Sequence, residues 1–321
     1  MTRFLRAACL VCVTLCGAAS ASAQDVHVLV ITGVGGDEEH TAKFQKWSGA
    51  VLDAAKKSGV LEANMAWYGE TTAPAKDARI ADRSTRENVT KAFGDLARRA
   101  KPDDQIVVIL IGHGSFDGKT AAFNLPGPDL TAADYALLLD RFPTQRVAFV
   151  NTASSSGPFV QALAGPARTI VTATRTGGER NETQFPEFFI EALDSEAADR
   201  DRNGRVSILE AFDFATARVK AAYEQGGHIL TEHATLDDGS EGKLAGAVYL
   251  APERSRTAAA QQADPALRAL LEARDALERQ VNDLRLKKDG MDQAAYEKAL
   301  ETLLTDLAVK TREIRELEGK R

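Results

Sequence analysis

Three stretches of this chain are apolar at almost every position rather than at every second one: Asp25 to Thr32 (DVHVLVIT), Gln105 to Gly112 (QIVVILIG) and Arg146 to Asn151 (RVAFVN). A strand of that kind must be covered on both faces, which is the situation of strands in a parallel sheet. The segments between them carry helical spacing. From about His40 to Lys57, Phe44, Trp47, Val51, Leu52 and Ala55 fall on one face, and Asn64 to Tyr68 reads as a further strand. Ser84 with Glu87 three residues on predicts a capping box for a helix with Val89, Phe93, Leu96 and Ala97 on its apolar stripe. Helices are expected at about Thr131 to Arg141, Glu187 to Leu193 and Ser207 to Glu224, with strands at Thr169 to Ala173 and, last, Val248 to Leu250. This alternation predicts an α/β domain of three layers, a mainly parallel sheet flanked by helices.

The ends of the chain read differently. Arg3 and Arg6 precede an apolar run from Ala7 to Ala19, and Ala21-Ser22-Ala23 follows, so residues 1–23 read as a secretory signal peptide too short to span a membrane. The only cysteines, Cys9, Cys12 and Cys16, lie inside it. After cleavage the chain would have no thiol, and losing the two arginines would take its net charge from −6 to −8. That balance excludes a broad electrostatic affinity for nucleic acid. The expected location is the periplasm or the exterior, with no membrane insertion once the signal is removed. At the other end, 251–263 reads as a linker. Within 264–321, Leu267, Leu270, Leu277, Val281 and Leu284 form one heptad-like stripe, and Leu300, Leu303, Leu307, Ile314 and Leu317 another. The expectation is an antiparallel helical hairpin that either caps the domain or serves self-association or partner docking.

In an open parallel sheet the chemistry gathers where strands end at their carboxyl termini. The loop Gly33-Val34-Gly35-Gly36 opens like a dinucleotide fingerprint, but it lacks the third glycine, and Asp37, Glu38 and Glu39 would repel a pyrophosphate. After Gln105 to Gly112 comes His113 between two glycines, a sterically open place for a general base or acid. After Arg146 to Asn151 comes Thr152-Ala153-Ser154-Ser155-Ser156-Gly157. If these two strands are neighbours, His113 and the serines share one crevice.

Taken together, IVVILIGHGSFDG, VAFVNTASSSG and IVTATRTGGERNETQF resemble the caspase–legumain–gingipain superfamily of cysteine peptidases, and more narrowly its exported bacterial legumain-type members. The resemblance spans about Val26 to Leu250 and implies a caspase-like fold for 24–250. It also implies a histidine in an H-G pair after the third strand and a nucleophile in a D-x-C-x-S-G-like motif after the fourth. His113-Gly114 matches the first motif and Ser156-Gly157 the end of the second. That alignment puts Ser154 where the family carries its cysteine and Thr152 where it usually has an aspartate. It also implies substrate contacts at Gly114, Arg175 and Arg180, although the two arginines could instead pair internally with Glu179 and Glu182. A serine hydroxyl, unlike a thiolate, needs a well-oriented base and usually a third residue behind it, and Asp117 is the carboxylate at hand. The expectation is therefore a pseudopeptidase that binds a peptide or protein partner. The alternatives are an active peptidase or amidase with Ser154 as nucleophile and His113 as base, and a purely structural coiled-coil envelope protein.

The sharpest local pattern is DRDRNGRVSILE at 199–210, which satisfies D-x-D-x-N-G-x5-E, the twelve-residue EF-hand calcium loop. Asp199, Asp201 and Asn203 would give side-chain oxygens, Arg205 its carbonyl, Ser207 a hydroxyl or a water, and Glu210 a bidentate carboxylate. Calcium there would be structural, tying the last helix to the sheet. The segment Thr231 to Asp238 holds one histidine among scattered acids, which reads as a surface loop rather than a metal site.

Overall fold

A computed structural model of the chain describes residues 24–71, 77–251, 265–286 and 288–318. The expected signal at 1–23 and all but the first residue of the expected linker lie outside the described residues. The first half runs β1 (Val26–Thr32), α1 (Glu38–Lys57), β2 (Met65–Gly69), β3 (Ile80–Arg83), α2 (Arg86–Arg99) and β4 (Gln105–Ile111). A small antiparallel sheet follows, made of β5 (Gly114–Phe116), β6 (Ala121–Phe123) and β7 (Leu130–Thr131). Then come α3 (Ala132–Leu139), β8 (Arg146–Asn151), α4 (Pro158–Leu163), β9 (Arg168–Thr172), α5 (Phe185–Ala192), α6 (Ile208–Gln225) and β10 (Thr235–Asp237). The chain closes on α7 (Pro265–Leu286) and α8 (Gln293–Glu318).

The main sheet has the order β10-β9-β8-β4-β1-β2-β3, and every pairing is parallel except β10 against β9. Both faces of β1 and β4 are buried, because successive side chains point to opposite sides of a strand. Val26, Val28 and Val30 with Val107, Ile109 and Ile111 pack under α1, α5 and α6, among Phe44, Trp47, Val51, Phe189 and Val219. Leu29 and Ile31 with Ile106, Val108 and Leu110 pack on the other side under α2, α3 and α4, among Phe93, Tyr135, Phe149 and Phe159. The three-layer α/β architecture expected from the sequence is the one observed. After β1 the chain moves outward to β2 and β3, then returns to lay β4 on the other side of β1. The switch in direction falls between β1 and β4, and the loops leaving those strands meet there.

Two local expectations change. The cap of α2 is Thr85, whose side chain accepts the Asn88 N–H, while Ser84 is fully buried and donates to the carbonyls of Thr32 and Gly69. Spacing could not separate two adjacent hydroxyl residues; tertiary burial did. Val248 to Leu250 is no sheet strand. It makes a single antiparallel bridge, Ser207 with Tyr249, and the edge position beside β9 goes to β10, inside the segment expected to be a surface loop.

α7 and α8 form the expected helical pair, with Leu267, Val281, Tyr296 and Ile314 buried in the seam and the remaining stripe leucines half-buried. Arg205 bridges the pair to the α/β domain. Its guanidinium lies 2.8 Å from the Glu278 carboxylate and 3.8 Å from the centre of the Tyr249 ring. Among the described residues no helix is long and apolar enough to cross a membrane.

Candidate functional site

β4 and β8 are hydrogen-bonded neighbours, so His113 and the serine loop do share the crevice at the carboxyl ends of these strands. Its walls include Phe44, Trp47, Gly112, Glu182 and Pro186. The approach is close. A Cβ on Gly114 would sit 2.2 Å from the Ser154 carbonyl oxygen, so only glycine lets β5 leave β4 past this loop. The enclosed space is only about 10 Å³, enough for roughly one water and no side chain.

The two dyad candidates do not hydrogen-bond to each other. The Ser154 hydroxyl donates to the Gly114 carbonyl at 3.3 Å. The His113 Nε2 lies 3.2 Å from the Gly35 carbonyl, an acceptor only, so that nitrogen carries the ring proton. Asp117 is elsewhere: its exposed carboxylate accepts the N–H groups of Lys119 and Thr120 in the β5–β6 turn. No carboxylate stands behind His113 among the described residues.

His113 packs instead against Phe44 and His40, with ring centres 5.0 and 5.1 Å away. His40 was not anticipated, although Asp37 three residues earlier is a sequence signal for it. Asp37 caps α1 by accepting the His40 N–H, and its second oxygen lies 2.7 Å from His40 Nδ1. His40 Nε2 lies 3.3 Å from Glu182. The hydrogen bond that its ring donates to Asp37, then that to Glu182, holds the imidazole above its ordinary pKa.

Ser155, not Ser154, carries the backbone strain of the serine loop. Its φ is 54°, in the region that side-chain-bearing residues avoid, and its buried hydroxyl has no partner. Its N–H reaches the Glu179 carbonyl at 2.8 Å, which ties the loop to the 175–183 segment. Nothing local in the sequence signals this.

The two arginine side chains go to different places, and among the described residues neither guanidinium pairs with Glu179 or Glu182, although the Arg175 backbone N–H donates to Glu179 at 3.1 Å. Arg180 donates to the Phe116 carbonyl at 3.1 Å. Glu182 serves Lys43 and His40, and Glu179 accepts from the His233 backbone and lies 3.2 Å from its ring. Arg175 borders a separate cavity of about 430 Å³ between α6, Phe185 and residues 230–234, which shares no residue with the crevice. Glu232 lies in that wall, 3% exposed, accepting the N–H groups of Gln184 and Phe185 at the start of α5. Burial pushes its carboxyl above the ordinary range.

In the 199–210 loop, Asp199, Asp201 and Glu210 each bring a carboxylate oxygen within 4.8 Å of the other two. Arg202 at φ 57° and Gly204 at φ 83° make the turn. Asp199 accepts the N–H groups of Asn203 and Gly204, and the Asn203 amide nitrogen donates to Asp201 while its oxygen accepts the Arg205 N–H. Ser207 caps α6 in a reciprocal capping box with Glu210, whose other oxygen accepts from Arg200 and Asp201. Burial first, then the charges of Glu210 and Asp199, push the Asp201 carboxyl up to about 6. Two loop arginines turn away from this cluster, Arg200 to Asp213 and Arg205 to Glu278.

No protein-family model matches the chain, and no curated protein does. Among solved structures, the crystal structure of protein GSU0716 from Geobacter sulfurreducens superposes with a TM-score of 0.44 at 12% identity, over 66% of this chain and 92% of that one. A superposition this loose says nothing about the site.

Proposed function

We propose that this chain is an exported, non-catalytic relative of the caspase–legumain–gingipain peptidases that binds a peptide or protein partner. The reading rests on where two protons go. Ser154 gives its hydroxyl proton to one backbone carbonyl, and His113 gives its Nε2 proton to another. A nucleophile is activated when the base accepts its proton, so a serine and a histidine that each serve a carbonyl are not poised for that transfer. The absence of cysteine from 24–321 removes the thiolate chemistry the family uses.

The 199–210 loop would hold a structural Ca²⁺. Asp199, Asp201, Asn203 and Glu210 would contribute side-chain oxygens, Arg205 its carbonyl, and Ser207 its hydroxyl or a water. The donor chemistry fits: three hard carboxylate oxygens converge within 4.8 Å of one another. Each Glu210 oxygen already accepts hydrogen bonds but retains lone-pair capacity for an ion. A bound ion would offset most of the cluster's negative charge and pin the start of α6.

The test is turnover of a fluorogenic peptide library by residues 24–321, with and without calcium. No turnover is expected in either condition. Hydrolysis that vanishes in both Ser154→Ala and His113→Ala would overturn the reading.

A further inference from the structure

The cavity beside Arg175 has the size of a small-ligand site, about 430 Å³. Its floor and walls are apolar: Phe212 and Val219 from α6, Phe185 beneath them, and Leu230 opposite. The Phe185 and Phe212 rings stand 6.2 Å apart, so the floor is a packed aromatic surface.

The charges on this apolar surface do not balance. Arg200 and Asp213 neutralise each other across the rim at 2.9 Å. Glu232 accepts two backbone N–H groups at the start of α5, where the helix end already favours a negative charge. With Glu232 counted as one negative charge, Arg175 and Lys220 leave the lining with a net charge of about one positive. Lys220 has only a loose 3.8 Å contact with Glu224, one turn along α6. The Arg175 guanidinium pairs with no carboxylate among the described residues.

The backbone of Arg175 is nevertheless held on two sides. Its N–H donates to Glu179 at 3.1 Å, and its carbonyl packs so closely on Gly157 that a Cβ there would lie 2.2 Å away. An arginine with a fixed backbone and an unpaired guanidinium is pre-organised for a planar, bidentate anion.

We infer that this pocket binds the carboxyl terminus of a peptide whose last residue is apolar, the side chain resting on Phe212 and Leu230 and the terminal carboxylate on Arg175. A single arginine with one loosely held lysine matches the one charge and planar shape of a carboxylate. The closed apolar floor suits a chain end, which needs no second exit. The inference names the partner chemistry of the non-catalytic reading and rests on it, but it places the ligand away from His113 and Ser154.

The experiment is fluorescence anisotropy on residues 24–321. The probe is an N-terminally labelled hexapeptide ending in leucine and phenylalanine with a free carboxylate. The comparators are its C-terminal amide and an amidated peptide carrying the same acid as an internal aspartate. The free acid is expected to bind about tenfold or more tighter than either. Arg175→Gln, an exposed change that leaves the core untouched, is expected to abolish the difference, and Leu230→Arg to block binding altogether. Equal affinity for acid and amide, no binding of any probe, or a preference that survives Arg175→Gln would overturn the inference. Preferred binding of the internal aspartate would overturn the chain-end assignment. Binding lost in Ser154→Trp but kept in Arg175→Gln would move the partner to the crevice, overturning the pocket and leaving the non-catalytic reading intact. Cleavage of the peptide, read by mass spectrometry on the same samples, would overturn the non-catalytic reading instead.

Discussion

Replacing Glu278 with alanine would remove its 2.8 Å ion pair with Arg205 at the junction of α7 and the 199–210 loop. The two side chains are 13% and 8% exposed, so the pair is nearly withdrawn from water. Breaking a buried ion pair by removing one partner costs about 3–5 kcal/mol, the more so the less the surviving charge is met by other groups. Two features favour the low end: Arg205 keeps its stacking on Tyr249, and Arg274, 3.5 Å from Glu278, keeps Asp275 at 3.3 Å. A loss of about 3 kcal/mol would shift docking of the hairpin by roughly 150-fold. An open cavity of about 700 Å³ lies beside this junction, between the 193–206 segment and Arg315 of α8. The assay is amide hydrogen exchange across 265–318 in the intact chain, where the slow amides of both helices should speed up together. The double variant Arg205→Met with Glu278→Met removes both charges and should exchange more slowly than Glu278→Ala alone. Unchanged exchange in Glu278→Ala, or a double variant as fast as the single, would refute the claim that this pair holds the hairpin.

Three further outcomes are expected. Calcium at a hundred times its dissociation constant should stabilise residues 24–321 by about 2.7 kcal/mol in thermal unfolding, an effect that chelator and Asp201→Asn with Glu210→Gln both remove; an unmoved midpoint refutes the ion. His40, held above its ordinary 6.5, contributes stability that is fully present below that value and lost as pH rises through its folded pKa. An NMR titration midpoint at or below 6.5, or a pH dependence unchanged in Glu182→Gln, would refute this account. Ser155→Ala removes a buried hydroxyl without a partner and should leave stability unchanged or raise it by about 1 kcal/mol in urea unfolding; a clear loss would show that the hydroxyl has a use.

Local pattern was enough to specify the layers. Runs such as Val107 to Ile111 can be solvated on neither face, so they demand a covered parallel sheet whatever the rest of the chain does. The 199–210 spacing likewise brings Asp199, Asp201 and Glu210 together through one tight turn, which is why those three carboxylates converge as expected. The positions of His113 and Ser154 at neighbouring strand ends followed from the same logic. What they bond to did not, because the proton of each goes to a backbone carbonyl brought in by long-range packing, Gly35 for His113 and Gly114 for Ser154. Arg175, Glu179 and Glu182 lie within a few residues of one another and read as natural partners. Glu179 does accept the Arg175 backbone N–H, but the fold sends both carboxylates to side chains distant in the chain and leaves the Arg175 guanidinium facing a cavity, because side-chain direction at a strand end is set by the elements packed against it. Residue types and spacing decide which surfaces must be buried. Only the assembled tertiary structure decides which polar groups find one another once those surfaces are in place.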